Sequence, residues 1–177
     1  RHSFISKLFE LAHKEGIHTA VDTSGAVSFD AFEEVLENTD CVLYDIKFKS
    51  DEMHRKYTGQ GNKLILENLI KIADKIRKGD NIELWIRTPL IPTLTGSKEN
   101  ITEIAEFIRD NLMDVISRWE LCTFNKACQN KYERLDLLWQ CGDIPLVNHS
   151  DLESIKETVK STGFDMDKLV ISGLVAE

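Results

Sequence analysis

Val21-Asp22-Thr23-Ser24-Gly25, Leu43-Tyr44-Asp45-Ile46-Lys47 and Leu84-Trp85-Ile86-Arg87-Thr88-Pro89 are three apolar, strand-like runs that each end in charge. An ion inside a buried strand costs several kcal/mol unless it is paired or solvated. At a strand's C-terminal end it escapes that cost and faces a ligand, and in parallel barrels and open α/β sheets the site forms at those ends. In the middle run, the two-residue strand period places Leu43, Asp45 and Lys47 on one face and Tyr44 and Ile46 on the other. An acid and a base therefore project side by side.

On the N-terminal side of these runs, Phe4, Ile5, Leu8, Phe9 and Ala12 follow helical spacing after Ser3, an expected N-cap, and Gly16 stops the helix before a strand over 17–23. A second helix is predicted near 30–38, with Asp30 and Glu33 as a capping box, and a second strand over 41–47. Residues 51–61 read as polar and irregular. Ile65, Leu69, Ile72, Ala73 and Ile76 then mark a third helix before Gly79, and a strand spans 82–88. Pro89 and Pro92 lack backbone donors, so ladder pairing is expected to stop there.

Further on, a helix follows Ser97 and a strand lies near 116–124, its start interrupted by Ser117 and Arg118. Residues 125–148 are irregular, apart from a helical turn at Tyr132, Leu135 and Trp139. A last helix, with Ser150 and Glu153 as capping box, ends at Gly163, and 168–172 forms a short strand. Strands alternating with helices imply right-handed crossovers and a parallel sheet. The fold class is α/β. A complete eight-unit barrel takes about 250 residues, so the expectation is part of a TIM-like barrel or a small open sheet. No linker divides the chain, and residues 1–177 read as one domain.

The balance of 22 basic against 30 acidic residues gives a net charge of -8, with no basic patch of the kind a nucleic-acid footprint needs. No apolar run approaches the roughly 18 to 20 residues that span a bilayer, and no signal-peptide layout opens the chain, so a cytoplasmic protein is expected. The chain starts on Arg1 and enters a helix pattern at once, which suggests a fragment. Four scattered cysteines do not make a disulfide framework.

Asp22, Asp45, Lys47 and Arg87 form the candidate constellation. Either they line a pocket for a charged ligand, or they are a salt-bridge network that closes a barrel mouth. His18 and His54 stand in no triad spacing with Ser24 or a cysteine, so a hydrolase is poorly supported. No two cysteines have the close spacing that holds zinc or an iron-sulfur cluster from one loop. Cys41 and Cys122 read as core packing, while Cys128 and Cys141 fall in the irregular segment. Gly59 and Gly61 could approach a phosphate before a helix.

The residues match a known pattern in order and spacing. Glu15 through Gly25, Leu43 through Lys47, His54 with Tyr57-Thr58-Gly59, Asn62, Asn68, Trp85-Ile86-Arg87 with Pro92, Glu120-Leu121 and Lys131 through Leu135 together resemble the C-terminal part of glycyl radical enzyme activating enzymes, in the radical S-adenosylmethionine superfamily. The resemblance implies a fragment of a (β/α)6 radical S-adenosylmethionine barrel, an oxidoreductase in which S-adenosylmethionine is bound against a 4Fe-4S cluster. One electron would cleave it to a 5′-deoxyadenosyl radical, which takes hydrogen from a glycine of a partner such as pyruvate formate-lyase. The other partner would be an electron donor such as flavodoxin or ferredoxin, and no nucleic acid or membrane is expected.

By position in those motifs, Asp22, Thr23, Asp45, Lys47 and Asn125 would bind the cofactor, and Arg87 would face the cofactor or the incoming peptide. Asp22 and Asp45 would also hold a monovalent cation. Asn125 stands where many members carry histidine. The family's CxxxCxxC and Gly-Gly-Glu motifs are absent from this chain, so the expectation is that it binds no cluster and is inactive alone. Alternatives are a radical S-adenosylmethionine enzyme acting on a small molecule, and a non-catalytic module that docks a glycyl radical protein.

Overall fold

The computed structural model describes residues 1–176. Helix α1 (His2–Lys14) leads to β1 (Ala20–Thr23), α2 (Phe29–Leu36), β2 (Cys41–Asp45), α3 (Asp51–Thr58), α4 (Lys63–Arg77) and β3 (Glu83–Leu90). Then come α5 (Lys98–Asn111), β4 (Ile116–Thr123), α6 (Gln129–Arg134), α7 (His149–Ser161) and β5 (Leu169–Ser172).

All strand pairs are parallel, in the spatial order β1-β2-β3-β4-β5. When parallel strands follow one another in sequence order, right-handed crossovers all fall on one face of the sheet. That face carries Val42, Tyr44, Ile46, Leu84, Ile86, Leu90, Trp119 and Leu121, buried against Leu36, Leu69, Ile72, Ile104 and Ile108 of the helices. The register places Asp22, Leu43, Asp45, Trp85, Arg87, Glu120 and Cys122 on the opposite, open face. A sheet wound in one direction with a polar inner face is a partial TIM-like barrel.

Several local expectations change. Residues 51–58 are helical because Ser50 caps them by accepting from the Met53 N–H at 3.3 Å, and Gly59 ends them with φ 78°. That left-handed C-cap accounts for Gly59, and the side chains of Asp51 and Arg55 crowd the place where Gly61 would carry a Cβ. Both glycines therefore have a local structural reason. The capping residues also differ from expectation. Ser28 precedes α2 without a side-chain cap, and Asn148 with Asp151, not Ser150 with Glu153, forms the capping box of α7.

The third strand runs through Pro89, which pairs in register with Cys122. Arg87 turns its carbonyl towards β2, where it accepts from Ile46 N–H, whereas Leu90 turns its carbonyl towards Phe124 beyond β4. Pro89 shares the orientation of Arg87, so its missing donor points to the β2 side beyond Asp45, where β2 has ended. No ladder bond is lost. Ser117 is the extra residue of a register shift opposite Leu84 and Trp85, and Arg118 next to it stacks at 3.7 Å on the Trp85 ring.

Candidate functional site

The open face concentrates charge at the strand tips. Arg87 sits at the centre: its Nε donates to Glu120 Oε2 at 3.1 Å, Nη1 to Asp22 Oδ2 at 2.8 Å and Nη2 to Cys122 Sγ at 3.5 Å. Glu120 is the register neighbour of Arg87, but Asp22 lies two strands away, and only a side chain of arginine length spans that gap across β2. The remaining acid and base pair with each other, Lys47 Nζ to Asp45 Oδ2 at 2.9 Å. The structure thus brings Asp22 and Arg87 into contact, and Asp45 and Lys47 into contact. The salt-bridge network considered for these residues exists, and it lines an open surface.

Glu120 and Cys122 join the site, although sequence reasoning gave Cys122 to the core. It occupies an open-face position of β4, half-buried, with Arg87 on its sulfur. Burial raises its thiol pKa, against the pull of the Arg87 guanidinium. The signal was the period of two: Arg118, Glu120 and Cys122 alternate with Trp119 and Leu121.

Thr23 falls on the helix-covered side, and its hydroxyl accepts from the Gly25 N–H at 3.0 Å. It shapes the turn. Gly25 has φ 68°, and a Cβ there would sit 1.7 Å from the Tyr44 hydroxyl. That hydroxyl donates to the Ile65 carbonyl at 2.6 Å, and Asn68, fully buried, donates to the carbonyls of Gly25 and Val27 at 2.9 and 2.8 Å. Asn125 is exposed and accepts from the Ala127 N–H at 3.0 Å.

Beside Lys47, a cleft of about 240 Å³ is lined by Ser24, Ala26, His54, Thr58, Gln60 and Ile65. Cation, carboxylates and hydroxyl at the strand tips fit a small zwitterionic or sulfonium ligand, since the lysine can hold a carboxylate and the aspartates can balance a positive centre. Both aspartates already have basic partners. The cysteines do not fit an iron-sulfur cluster: Cys41 is buried at the start of β2, Cys122 lies on β4, and Cys128 and Cys141 flank α6.

No protein-family model matches the chain. It is 34% identical over 157 residues to the pyruvate formate-lyase-activating enzyme of Clostridium pasteurianum, covering 89% of this chain and 63% of that protein. This chain is a relative of the glycyl radical enzyme activating enzymes. The 4-hydroxyphenylacetate decarboxylase activating enzyme of Clostridioides difficile (strain 630) is 30% identical, with coverage of 92% and 50%. The chain therefore spans between half and two thirds of the length of these activating enzymes. In fold it matches a crystal structure of a domain of pyruvate-formate lyase-activating enzyme from Bacteroides vulgatus ATCC 8482, with a TM-score of 0.73, 21% identity and coverage of 97% and 91%. It also matches Streptococcus suis SuiB bound to S-adenosylmethionine, with a TM-score of 0.61, 13% identity and coverage of 95% and 34%.

Proposed function

We propose that these residues form the S-adenosylmethionine-binding part of a radical oxidoreductase that activates a glycyl radical enzyme. The observation that carries this reading is the charged row Asp22, Asp45, Lys47, Arg87 and Glu120 on the open face of a partial barrel, in a relative of the activating enzymes. Lys47 would hold the cofactor's carboxylate. Asp22 and Asp45 would balance positive charge beside it, from a sulfonium or a monovalent cation, and Arg87 would fix Asp22 while presenting its guanidinium to the pocket. Thr23 would act by shaping the turn after Asp22, and Asn125 through the loop it caps. The bound cofactor, with a cluster held elsewhere in the complete protein, would supply the hydrogen-abstracting radical.

In this reading residues 1–177 are one domain and protein substrate docks over the open face. The chain alone holds no cluster and is inactive. The test is electron paramagnetic resonance on a longer protein carrying these residues, reduced anaerobically with S-adenosylmethionine and a glycyl radical enzyme. A glycine-centred radical signal that Lys47→Ala abolishes is expected. No signal with any glycyl radical enzyme would overturn the reading.

A further inference from the structure

β2 ends at Asp45, and the residues that follow it, Ile46 to Lys49, belong to no strand. A backbone carbonyl outside a ladder must find another donor or face water. Each of these four finds a buried side chain. Thr88 Oγ1 donates to the Ile46 carbonyl at 2.9 Å, Asn100 Nδ2 to that of Lys47 at 2.9 Å, and Asn62 Nδ2 to those of Phe48 and Lys49 at 2.9 and 2.8 Å. The donors come from β3, from the first turn of α5 and from the residue before α4, so three elements converge on one short tail. Asn100 also accepts from the Lys49 N–H at 3.2 Å and donates to the Thr95 carbonyl at 2.8 Å, which uses its whole amide. It shares the buried face of α5 with Ile104 and Ile108, where packing alone does not account for an amide.

We propose that Asn100 and Asn62 are positioning residues: by gripping the carbonyls of Lys47 and its neighbours they set where the Lys47 ammonium stands. Ile46 and Phe48 are buried on either side of Lys47, so pinning the carbonyls of 46–49 fixes the direction in which the lysine side chain leaves the backbone. Its Nζ then reaches Asp45 Oδ2 at 2.9 Å on the open face. A lysine has much rotamer freedom to lose when it takes up a ligand, and a fixed root leaves less of that loss to be met on binding. Both asparagines act through the main chain, not on the ammonium itself. The inference rests on the functional reading above for the anion that Lys47 receives, and it adds the residues that hold the lysine in place.

The test follows the lysine ε-methylene signals of the isotope-labelled chain by nuclear magnetic resonance, with Lys47 assigned by its loss in Lys47→Ala, and measures S-adenosylmethionine affinity by calorimetry. Asn100→Leu keeps the volume of the side chain, removes its hydrogen bonds and adds no charge. Lys168, whose Nζ donates to the carbonyls of Met113 and Ile116 by the start of β4, is the control for a general loosening of the fold. The expected result is that the Lys47 signal moves towards that of Lys63, whose side chain is 85% exposed, that Lys168 stays in place, and that the dissociation constant rises about tenfold. A Lys47 signal that does not move, or one that moves together with Lys168, overturns the positioning role. So does an unchanged affinity in Asn100→Leu. If wild type does not bind S-adenosylmethionine while Lys47 alone shifts in the variant, the cofactor reading falls and the positioning role stands. Asn62→Ser, which removes the amide on the other side of the tail, carries the same comparison where Asn100→Leu does not fold.

Discussion

Arg87 on β3 reaches over β2 to Asp22 on β1, its Nη1 2.8 Å from the carboxylate, and so ties the edge strand to the middle of the sheet. Its other contacts, to Glu120 and Cys122, extend the tie to β4. Replacing Arg87 by methionine leaves Glu120, whose side chain is 15% exposed, without its cation. The expected loss is about 1–3 kcal/mol of stability, with Arg87→Lys intermediate because it keeps the charge but not the fork. Chemical denaturation measures this, and an unchanged midpoint for Arg87→Met would show that the network contributes nothing.

Asn68 uses its amide only as a donor, since its Oδ1 has no partner. Asn68→Asp turns both donors into acceptors facing two carbonyls, which is expected to cost more than about 2 kcal/mol. Faster amide hydrogen exchange at Ala26 and Val27 accompanies it. Wild-type exchange in that turn would contradict the clamp.

Gly25→Ala combines positive φ with a Cβ placed on the Tyr44 hydroxyl. Left-handed backbone costs about 1–2 kcal/mol for a residue with a Cβ, and overpacking adds about 1–3 kcal/mol. A thermal melt within a degree of wild type would show that the turn relaxes freely.

How far the sequence announced this fold depends on the element. Tyr44, Ile86 and Trp119 lie on strands whose strict alternation puts apolar residues towards the helices, and β1 to β5 appear close to where that period predicts them. Helix α3 was hidden because its stability rests on the Ser50 cap and the Asp51–Arg55 pair instead of on an apolar stripe. At the site, Asp22, Asp45, Lys47 and Arg87 stood out as charges at strand ends. Glu120 and Cys122 did not, because Ser117 and Arg118 blurred the start of their strand, and the reach from Arg87 to Asp22 depends on register, which local pattern does not specify.

Asp40 carries a pH signature. The backbone N–H of Thr19, 2.7 Å from Oδ2, and then His13 hold its carboxyl below the usual value of 3.8, against the opposing effect of burial. A carboxyl depressed in the folded state contributes stability that is complete above the unfolded pKa and disappears as pH falls through the folded one. Asp40→Asn should therefore lower the melting temperature at pH 7, and the gap to wild type should close as pH drops below about 4. A gap that persists undiminished at pH 2 would contradict this.

The central claim is that the strand-tip charges bind S-adenosylmethionine, and calorimetric titration of the 177-residue chain tests it most directly. The account predicts saturable binding of one equivalent, weakened at least about tenfold by Lys47→Ala. No saturable binding, or equal affinity in Lys47→Ala, would contradict it.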